Sequence, residues 1–238
     1  MRKRPRPRQL GFVFRTHGGA RAGAGRPPNG EAAGVSHLKR PRLPSDHPVH
    51  VTLRVTRDVT CSATSLRGSA MFRSIRNALA GARARFGFRL VHFSVQKDHL
   101  HLLAEAQDQR ALSRGMQGLT IRVAKAVNRR LARRGRVFAD RYHARALTTP
   151  REVRWALRYV LSNARKHERG RFGLAAGFVD HCSSAPWFDG WRRPRELAFV
   201  AGERLKSRDP PVVPAETWLL RVGWRRAGAL DVDDAPSS

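Results

Sequence analysis

The stretch FSVQKDHLHLL, residues 93–103, decides how the sequence is interpreted. Two runs of strand-forming residues flank a polar turn at 96–98, and this pattern predicts a β-hairpin. In the second strand, expected over about 99–106, successive side chains point to opposite faces of the sheet. His99 and His101 therefore share one face, while the leucines beside them point toward a core.

A shared face leaves two interpretations of the histidine pair. Two imidazoles separated by one residue can direct their ring nitrogens at a single metal ion, and imidazole is the commonest metal ligand in proteins. The alternative is a strand whose wet face carries two histidines without a metal, because an H-x-H pattern is weak by itself. The rest of the chain has to decide between them.

The composition points to a polyanionic partner. The chain has 238 residues and a formal net charge of +29, from 47 Lys and Arg against 18 Asp and Glu. Neutralising phosphates releases condensed counterions, so nucleic acid is the first candidate and an anionic membrane surface is the competing one. No stretch approaches the roughly 18 apolar residues of a spanning helix, and the first residues lack the apolar region of a secretory leader. We expect a cytoplasmic, nucleoid-associated protein.

Several common chemistries are disfavoured by what the sequence lacks. Cys61 and Cys182 stand far apart without C-x-x-C spacing, which excludes a disulfide framework and a zinc ribbon and predicts two reduced thiols. The chain has no phosphate-binding loop and no G-x-S-x-G elbow. Carboxylates are scarce in the compact region, so an acidic two-metal nuclease site is difficult to assemble.

Changes in composition divide the chain into four regions. Residues 1–46 are rich in Arg, Pro and Gly and predict a disordered basic arm. Residues 47–168 carry periodic apolar patterns and predict the compact domain. Residues 169–225 predict an aromatic C-terminal lobe, and residues 226–238 predict an acidic, mobile tail.

Within the compact region the patterns alternate between strands and helices. They predict strands at 49–55, 88–95, 99–106 and 142–147 and helices at 71–85, at 111–134 and from 150 onward. This order predicts an α+β fold of ferredoxin-like character, an antiparallel sheet with helices on one face.

The last helix has the clearest start signal, in TTPREVRWALRYVLSNARKH. Thr149 is the expected N-cap and Glu152 completes a capping box. At about 100° per residue, Tyr159 lies on the flank of the apolar seam, and Asn163 follows one turn later. A tyrosine can attack a phosphodiester and conserve the bond energy as a phosphotyrosine, while a cation held by two imidazoles can polarise the phosphate.

These pieces resemble a known family. The order VHVTLRV, FSVQKDHLHLL, GRVFADRYHARAL and YVLSNARKH, followed by WF, is similar to that of the single-tyrosine HUH transposases, in particular the REP-associated tyrosine transposase group. The resemblance covers residues 48–191. It implies cleavage and rejoining of single-stranded DNA at hairpin or palindromic repeats through a 5′-phosphotyrosine, with Mg²⁺ or Mn²⁺ and no organic cofactor.

The resemblance also assigns roles to residues of this sequence. His99 and His101 correspond to the metal ligands, Tyr159 to the nucleophile and Asn163 to a further ligand from the tyrosine helix. Asp98 and His50 are candidates to lie beside the site. The expected phosphate contacts are Arg122, Lys125, Arg129, Arg130, Arg141, Arg158 and Lys166.

Alternatives remain at this point. Tyr142 is the rival nucleophile, since the chain has only two tyrosines. Trp187 and Trp191 could stack on bases or pack in a core. The protein could be a domesticated repeat- or hairpin-binding regulator that has lost cleavage, or a general basic nucleic-acid binder. A 2H-type phosphoesterase is disfavoured because a second H-x-[ST] motif is absent, and a monomer is favoured over a dimer.

Overall fold

The computed structural model describes residues 43–60, 65–164, 176–192 and 210–234. Most of the predicted basic arm, together with Cys61 and Lys166, lies outside these residues. The helices and strands that build the main domain are β1 Val49–Arg54, α1 Ser69–Ala80, β2 Ala84–Arg85, β3 Phe88–Val95, β4 His99–Ala106, α2 Gln109–Arg130, β5 His143–Ala146 and α3 Pro150–Leu161.

The strands form one antiparallel sheet. Its five strands have the order β2-β3-β4-β1-β5, so β4 and β1 lie inside the sheet. Apart from the short β2, the chain order strand, helix, hairpin, helix, strand with this arrangement is ferredoxin-like. The predicted α+β fold is confirmed.

One face of the sheet carries the larger hydrophobic core. Leu100, Leu102 and Ala104 of β4 are buried there with Ile75 of α1 and Met116 of α2. These β4 residues alternate with the histidines, so the strand keeps its apolar side against α1 and α2 and turns its histidines away from them.

The other face is covered by α3 and by C-terminal segments. Leu103 of β4 is buried there with Leu157 of α3 and with Phe188, Trp191 and Trp224. The prediction placed the helices on one face, and this holds for α1 and α2. Helix α3 lies on the second face, because its own apolar seam needs a surface and the first face is already occupied.

The segment 176–192 covers the edge of β3. The Arg67 guanidinium donates hydrogen bonds to both carboxylate oxygens of Asp180 at 2.9 and 3.0 Å and to the Val95 carbonyl at 2.9 Å. The Asp180 side chain is only 1% exposed. Backbone hydrogen bonds join Val95 to Cys182 and Phe93 to Ser184. The unpaired edge of β3 is thereby satisfied.

The segment 210–234 is attached through Glu105 of β4. Its buried carboxylate accepts hydrogen bonds from the backbone N–H groups of Glu216 and Thr217 and from the Thr217 hydroxyl. These contacts hold the segment against the same sheet face that carries the histidines.

The end of this segment packs against α3. Leu230 and Val232 are buried in the second core, and Arg154 of α3 donates hydrogen bonds to the carbonyls of Gly228 and Ala229. The acidic mobile tail was expected to begin at residue 226. Residues 226–234 are instead part of the packed structure. Leu230 and Val232 lie between the acidic residues and bury apolar surface, which the acidic composition of this stretch did not indicate.

Helix α3 begins with the predicted capping box. The Glu152 backbone N–H donates to the Thr149 hydroxyl at 3.2 Å, and the Thr149 backbone N–H donates to the Glu152 carboxylate at 3.2 Å. The Thr148 backbone N–H is the largest influence lowering the pKa of Glu152 to about 2, and the Thr148 hydroxyl and Arg145 add to it against the opposing effect of burial. The start of α3 is therefore fixed by local contacts.

We predict that Arg67→Ala destabilises the fold by about 3–5 kcal/mol, because it leaves the Asp180 carboxylate buried without its cation. The matched control is Asp58→Ala, which removes an ion pair of 3.7 Å whose acid is 76% exposed and should change the free energy of unfolding by about 1 kcal/mol or less. Urea unfolding of both variants measures the difference. Equal losses would contradict this account of the attachment.

Candidate active site

His101 occupies the middle of the sheet. Its direct neighbours across the strands are Ser94 of β3 and Thr52 of β1, and Thr52 is in turn paired with His143 of β5. Directly paired residues face the same side of a sheet, so Ser94, His101, Thr52 and His143 form a polar row across this face. His101 itself is buried.

The orientation of the His101 ring is set from β1. Its Nδ1 lies 3.2 Å from Oγ1 of Thr52 and 3.3 Å from Nε2 of His50. Thr52 is a site residue that the sequence interpretation missed. The alternation in VHVTLRV could have found it, because residues 50 and 52 of a strand share a face.

His99 has an acidic neighbour. Its Nδ1 lies 2.7 Å from Oδ1 of Asp98, and the other carboxylate oxygen lies 3.1 Å from the Arg54 guanidinium. Burial by itself raises the pKa of Asp98, but the hydrogen bond with His99 and the charges of His99 and Arg54 lower it below its ordinary value. A carboxylate on one ring nitrogen is the usual means of orienting a histidine whose other nitrogen binds metal.

Tyr159 is brought to the histidines by α3. The His99 and His101 ring centroids are 4.7 Å apart, and the Tyr159 ring stands edge-on to His101 at 4.8 Å and to His50 at 5.9 Å. Because Tyr159 lies on the flank of α3 and not on its core seam, its ring extends over the histidine face. The predicted nucleophile and the predicted ligand pair therefore meet.

Tyr142 does not meet them. It is half-buried against the hydrophobic core beneath α1 and α2, on the sheet face opposite to that of His101. Of the two tyrosines in the chain, the structure brings only Tyr159 to the histidines.

Asn163 lies four residues after Tyr159, just past the end of α3 at Leu161 and not on the helix as predicted, and it has no exposed surface. Within the part of the chain that the structure describes, neither its Oδ1 nor its Nδ2 has a hydrogen-bond partner. A buried carboxamide without a partner is energetically unfavourable. Such a group fits a site that gains its partner on binding.

His50 is a neutral neighbour of the site. Burial, together with the charges of His143 and Arg145, lowers its pKa to about 4. At neutral pH it therefore adds no positive charge beside His101, and its imidazole can take part in hydrogen bonding as either donor or acceptor.

The donor set for a metal is small. No group of three or more His, Cys, Asp or Glu side chains suited to a metal occurs among the residues that the structure describes. By donor chemistry, the two imidazoles and the buried Asn163 carboxamide without a partner are the residues that suit a divalent cation.

The predicted DNA-binding residues are distributed over both sides of the sheet. Arg122, Lys125, Arg129 and Arg130 are exposed on α2, which packs on the face opposite to the histidines. Arg141 is exposed just before β5, whereas Arg158 lies on α3 next to Tyr159 with its guanidinium 4.5 Å from the Trp155 ring. Lys166 lies outside the described residues.

A cavity of about 420 Å³ adjoins Tyr159 between α3 and the β1–β5 edge. Arg145 and Trp155 line it and were not predicted as site residues. The signal was available for Trp155, which precedes Tyr159 by four residues and so shares its helix flank. A larger cavity of about 650 Å³ lies at the β2–β3 turn, and none of the predicted site residues lines it.

The remaining predicted residues are structural. Trp191 is buried in the second core and donates a hydrogen bond from Nε1 to the Ala185 carbonyl at 3.1 Å, and Trp187 packs against the first core. Cys182 is a buried free thiol whose pKa burial raises to about 11. No helix in the described part of the chain has the length and apolar character needed to cross a bilayer.

One protein family matches the part of the chain that contains these residues. Residues 46–163 match the family of IS200-like transposases. The chain belongs to this family. The matched segment contains Asp98, His99, His101, Tyr159 and Asn163, and membership assigns a transposase-like function and a DNA-processing role to the IS200-like domain.

Two solved structures are distantly similar to this chain. One is a REP-associated tyrosine transposase bound to a REP hairpin, with 14% identity and a TM-score of 0.44 over 56% of this chain and 74% of that one. The other is described as a transposase of Deinococcus radiodurans, with 15% identity and a TM-score of 0.35 over 49% of this chain and 86% of that one. No curated protein matches the sequence.

One further histidine, His92, lies on the sheet face that carries His99 and His101, and it has a structural role. His92 is buried, its Nδ1 lies 3.2 Å from the Ser184 hydroxyl, and burial lowers its pKa to about 3. The unfolded chain therefore binds a proton below about pH 6.5 that the folded chain does not, so stability is present above that pH and decreases as the pH falls.

We predict that His92 accounts for about 1 kcal/mol of the stability that the protein loses between pH 7.5 and 5.5. His92→Asn keeps a hydrogen-bonding group near Ser184 but cannot titrate, so its loss over this interval should be smaller by that amount. Urea unfolding at the two pH values measures both proteins. An unchanged pH dependence in the variant would contradict a neutral, buried His92.

Proposed function

We propose that the chain cleaves and rejoins single-stranded DNA at hairpin or palindromic repeats, with Tyr159 as the nucleophile. The observation that carries this proposal is the 4.8 Å contact between the rings of Tyr159 and His101 on the sheet face that also holds His99. Membership of the IS200-like family supports a DNA substrate. The net charge of +29 supports strong, salt-sensitive binding of a polyanion.

The reaction is a transesterification at phosphorus. Oη of Tyr159 attacks the scissile phosphate, a bond forms between Oη and phosphorus, and the bond between phosphorus and O3′ breaks. The tyrosine loses a proton, and the leaving O3′ gains one. The products are a 5′-phosphotyrosine and a free 3′-hydroxyl, and attack by a 3′-hydroxyl on the phosphotyrosine rejoins strands without ATP.

His99, His101 and Asn163 are the residues that would hold a divalent cation, Mg²⁺ or Mn²⁺. Bound there, the cation would polarise the scissile phosphate and stabilise its developing negative charge. Asp98 orients His99 through Nδ1, and Thr52 with His50 orients His101 through Nδ1. These contacts direct Nε2 of each histidine toward the ligand position.

One chain supplies both halves of the site. Tyr159 contacts His101 of its own chain, so the nucleophile does not have to come from a second copy. This supports a monomer as the working form. Arg158 is the predicted phosphate contact next to Tyr159 on α3, and the cations on α2 add a positive surface on the opposite face that would draw the protein to the nucleoid.

We predict that Tyr159→Phe abolishes a covalent protein–DNA adduct, whereas Tyr142→Phe leaves it intact. The substrate is an end-labelled single-stranded hairpin from the repeats that flank the coding region, incubated with Mn²⁺ and resolved on denaturing gels. Phenylalanine keeps each ring and removes only the hydroxyl, so the pair is a matched comparison.

Two results would overturn the assignment. An adduct that survives Tyr159→Phe and disappears with Tyr142→Phe would move the nucleophile to the other face of the sheet. Hairpin binding without an adduct for any variant would favour the regulatory binding protein that has lost cleavage.

We predict that Mn²⁺ supports adduct formation at lower concentration than Mg²⁺. Two of the three protein donors are imidazole nitrogens, which Mg²⁺ accepts less readily than Mn²⁺. His99→Ala should weaken Mn²⁺ binding, measured by electron paramagnetic resonance without DNA, and His47→Ala is the control because His47 pairs with Asp46 away from the site. Equal Mn²⁺ binding by the two variants would exclude His99 as a ligand.

A further inference from the structure

The cavity of about 420 Å³ beside Tyr159 has the size of a small-ligand site. His50 and Tyr159 line it on the side of the candidate active site, and Arg145, Arg151 and Trp155 line the remainder. A substrate group adjoining the phosphate attacked by Tyr159 would therefore enter it directly.

Trp155 gives this cavity an aromatic wall. The side chain is 43% exposed although the apolar seam of α3 lies close by. The Arg158 guanidinium lies 4.5 Å from the ring centroid, and this cation–π contact stabilises the observed arrangement of the two side chains. One exposed tryptophan needs no explanation by itself. A tryptophan that is held in place, lines a cavity and stands one turn from the nucleophile is suited to stacking.

The charges around the cavity favour a nucleotide over an uncharged aromatic ligand. Arg145 and Arg151 line it, Arg158 stands over the Trp155 ring, and Glu152 is the acid among the residues that line it. The Glu152 carboxylate is engaged by the Thr149 and Thr148 backbone and by Arg145, so the charges of Glu152 and Arg145 largely cancel and the excess positive charge comes from Arg151, with Arg158 nearby. The cavity thus combines a stacking surface with a positive rim, which is the combination that binds single-stranded nucleic acid.

We propose that this cavity receives an unpaired nucleobase next to the scissile phosphate, stacked on Trp155 with Arg151 at its phosphate. The proposal rests on the proposed function of Tyr159, and it names a subsite that positions the strand and senses the base beside the cut. Stacking is tolerant of base identity, so the subsite selects for an unpaired base more strongly than for a particular one.

The experiment measures DNA binding and adduct formation separately. Binding is measured by fluorescence anisotropy in a Tyr159→Phe background, with the labelled hairpin from the flanking repeats and a series of oligonucleotides that carry one abasic nucleotide at successive positions. Trp155→Ala, Trp155→Phe and Trp218→Ala are compared. Trp218 is the matched control, because it is 49% exposed and has the Arg226 guanidinium 4.9 Å from its ring, but it does not line the cavity.

We expect Trp155→Ala to weaken binding about 5- to 150-fold, Trp155→Phe to restore most of it, and Trp218→Ala to change it little. An abasic nucleotide at one position should weaken binding to the parent protein. At that position, the Trp155→Ala substitution should cause no further loss of affinity, because the stacked base is already missing. The subsite is excluded if Trp155→Ala binds the hairpin as tightly as the parent protein. It is also excluded if Trp155→Ala weakens binding by the same factor for every oligonucleotide, whatever the position of the abasic nucleotide.

The adduct assay distinguishes the two proposals. An adduct formed by the wild-type protein together with unaltered binding by Trp155→Ala would overturn the subsite alone. Absence of any adduct together with a position-specific Trp155 effect would overturn cleavage and leave a base-binding pocket. When the adduct and the position-specific Trp155 effect are both observed, the abasic position at which Trp155→Ala has no further effect should lie next to the cleaved phosphate.

Discussion

The two-residue alternation of β4 is the constraint on which the rest of the structure depends. Leu100 and Leu102 point into the core beneath α1 and α2, and this direction forces His99 and His101 to the other face. A register shift of one residue would exchange the faces, burying two imidazoles in an apolar core and exposing the leucines. The hydrophobic core of one face therefore fixes the position of the chemistry on the other.

The second face is closed by elements from distant parts of the sequence. Helix α3 brings Tyr159, the Asp180 carboxylate attaches the segment 176–192, and Glu105 attaches the segment 210–234. These contacts exclude water from most of the face, which lowers the pKa of His92 through burial and keeps it neutral. The region around Tyr159 stays open, because the cavity beside it separates α3 from the β1–β5 edge.

Local patterns predicted the parts of the molecule whose causes are local. The hairpin of β3 and β4, the capping box at Thr149 and the flank position of Tyr159 follow from spacing within about a dozen residues. The choice of Tyr159 over Tyr142 also agrees with the geometry, because the sequence placed the two on different kinds of element.

The parts that were missed depend on contacts across the sequence. Helix α3 covers the second face of the sheet because α1 and α2 cover the first. Leu230 is buried because it packs against α3. The predicted cations on α2 are exposed as expected, but their distance from the histidines follows from the side on which α2 crosses the sheet. Thr52 and Trp155 become visible as neighbours of the site only when β1 and α3 are assembled around β4.

The most direct test of the account is to locate the covalent bond by mass spectrometry of the tryptic peptides of the adduct. The two tyrosines fall in different peptides, YHAR beginning at Tyr142 and YVLSNAR beginning at Tyr159, so a nucleotide mass identifies its site without a mutation. We predict that the nucleotide is on YVLSNAR after digestion of the DNA. A nucleotide on YHAR, or on a peptide without tyrosine, would contradict it.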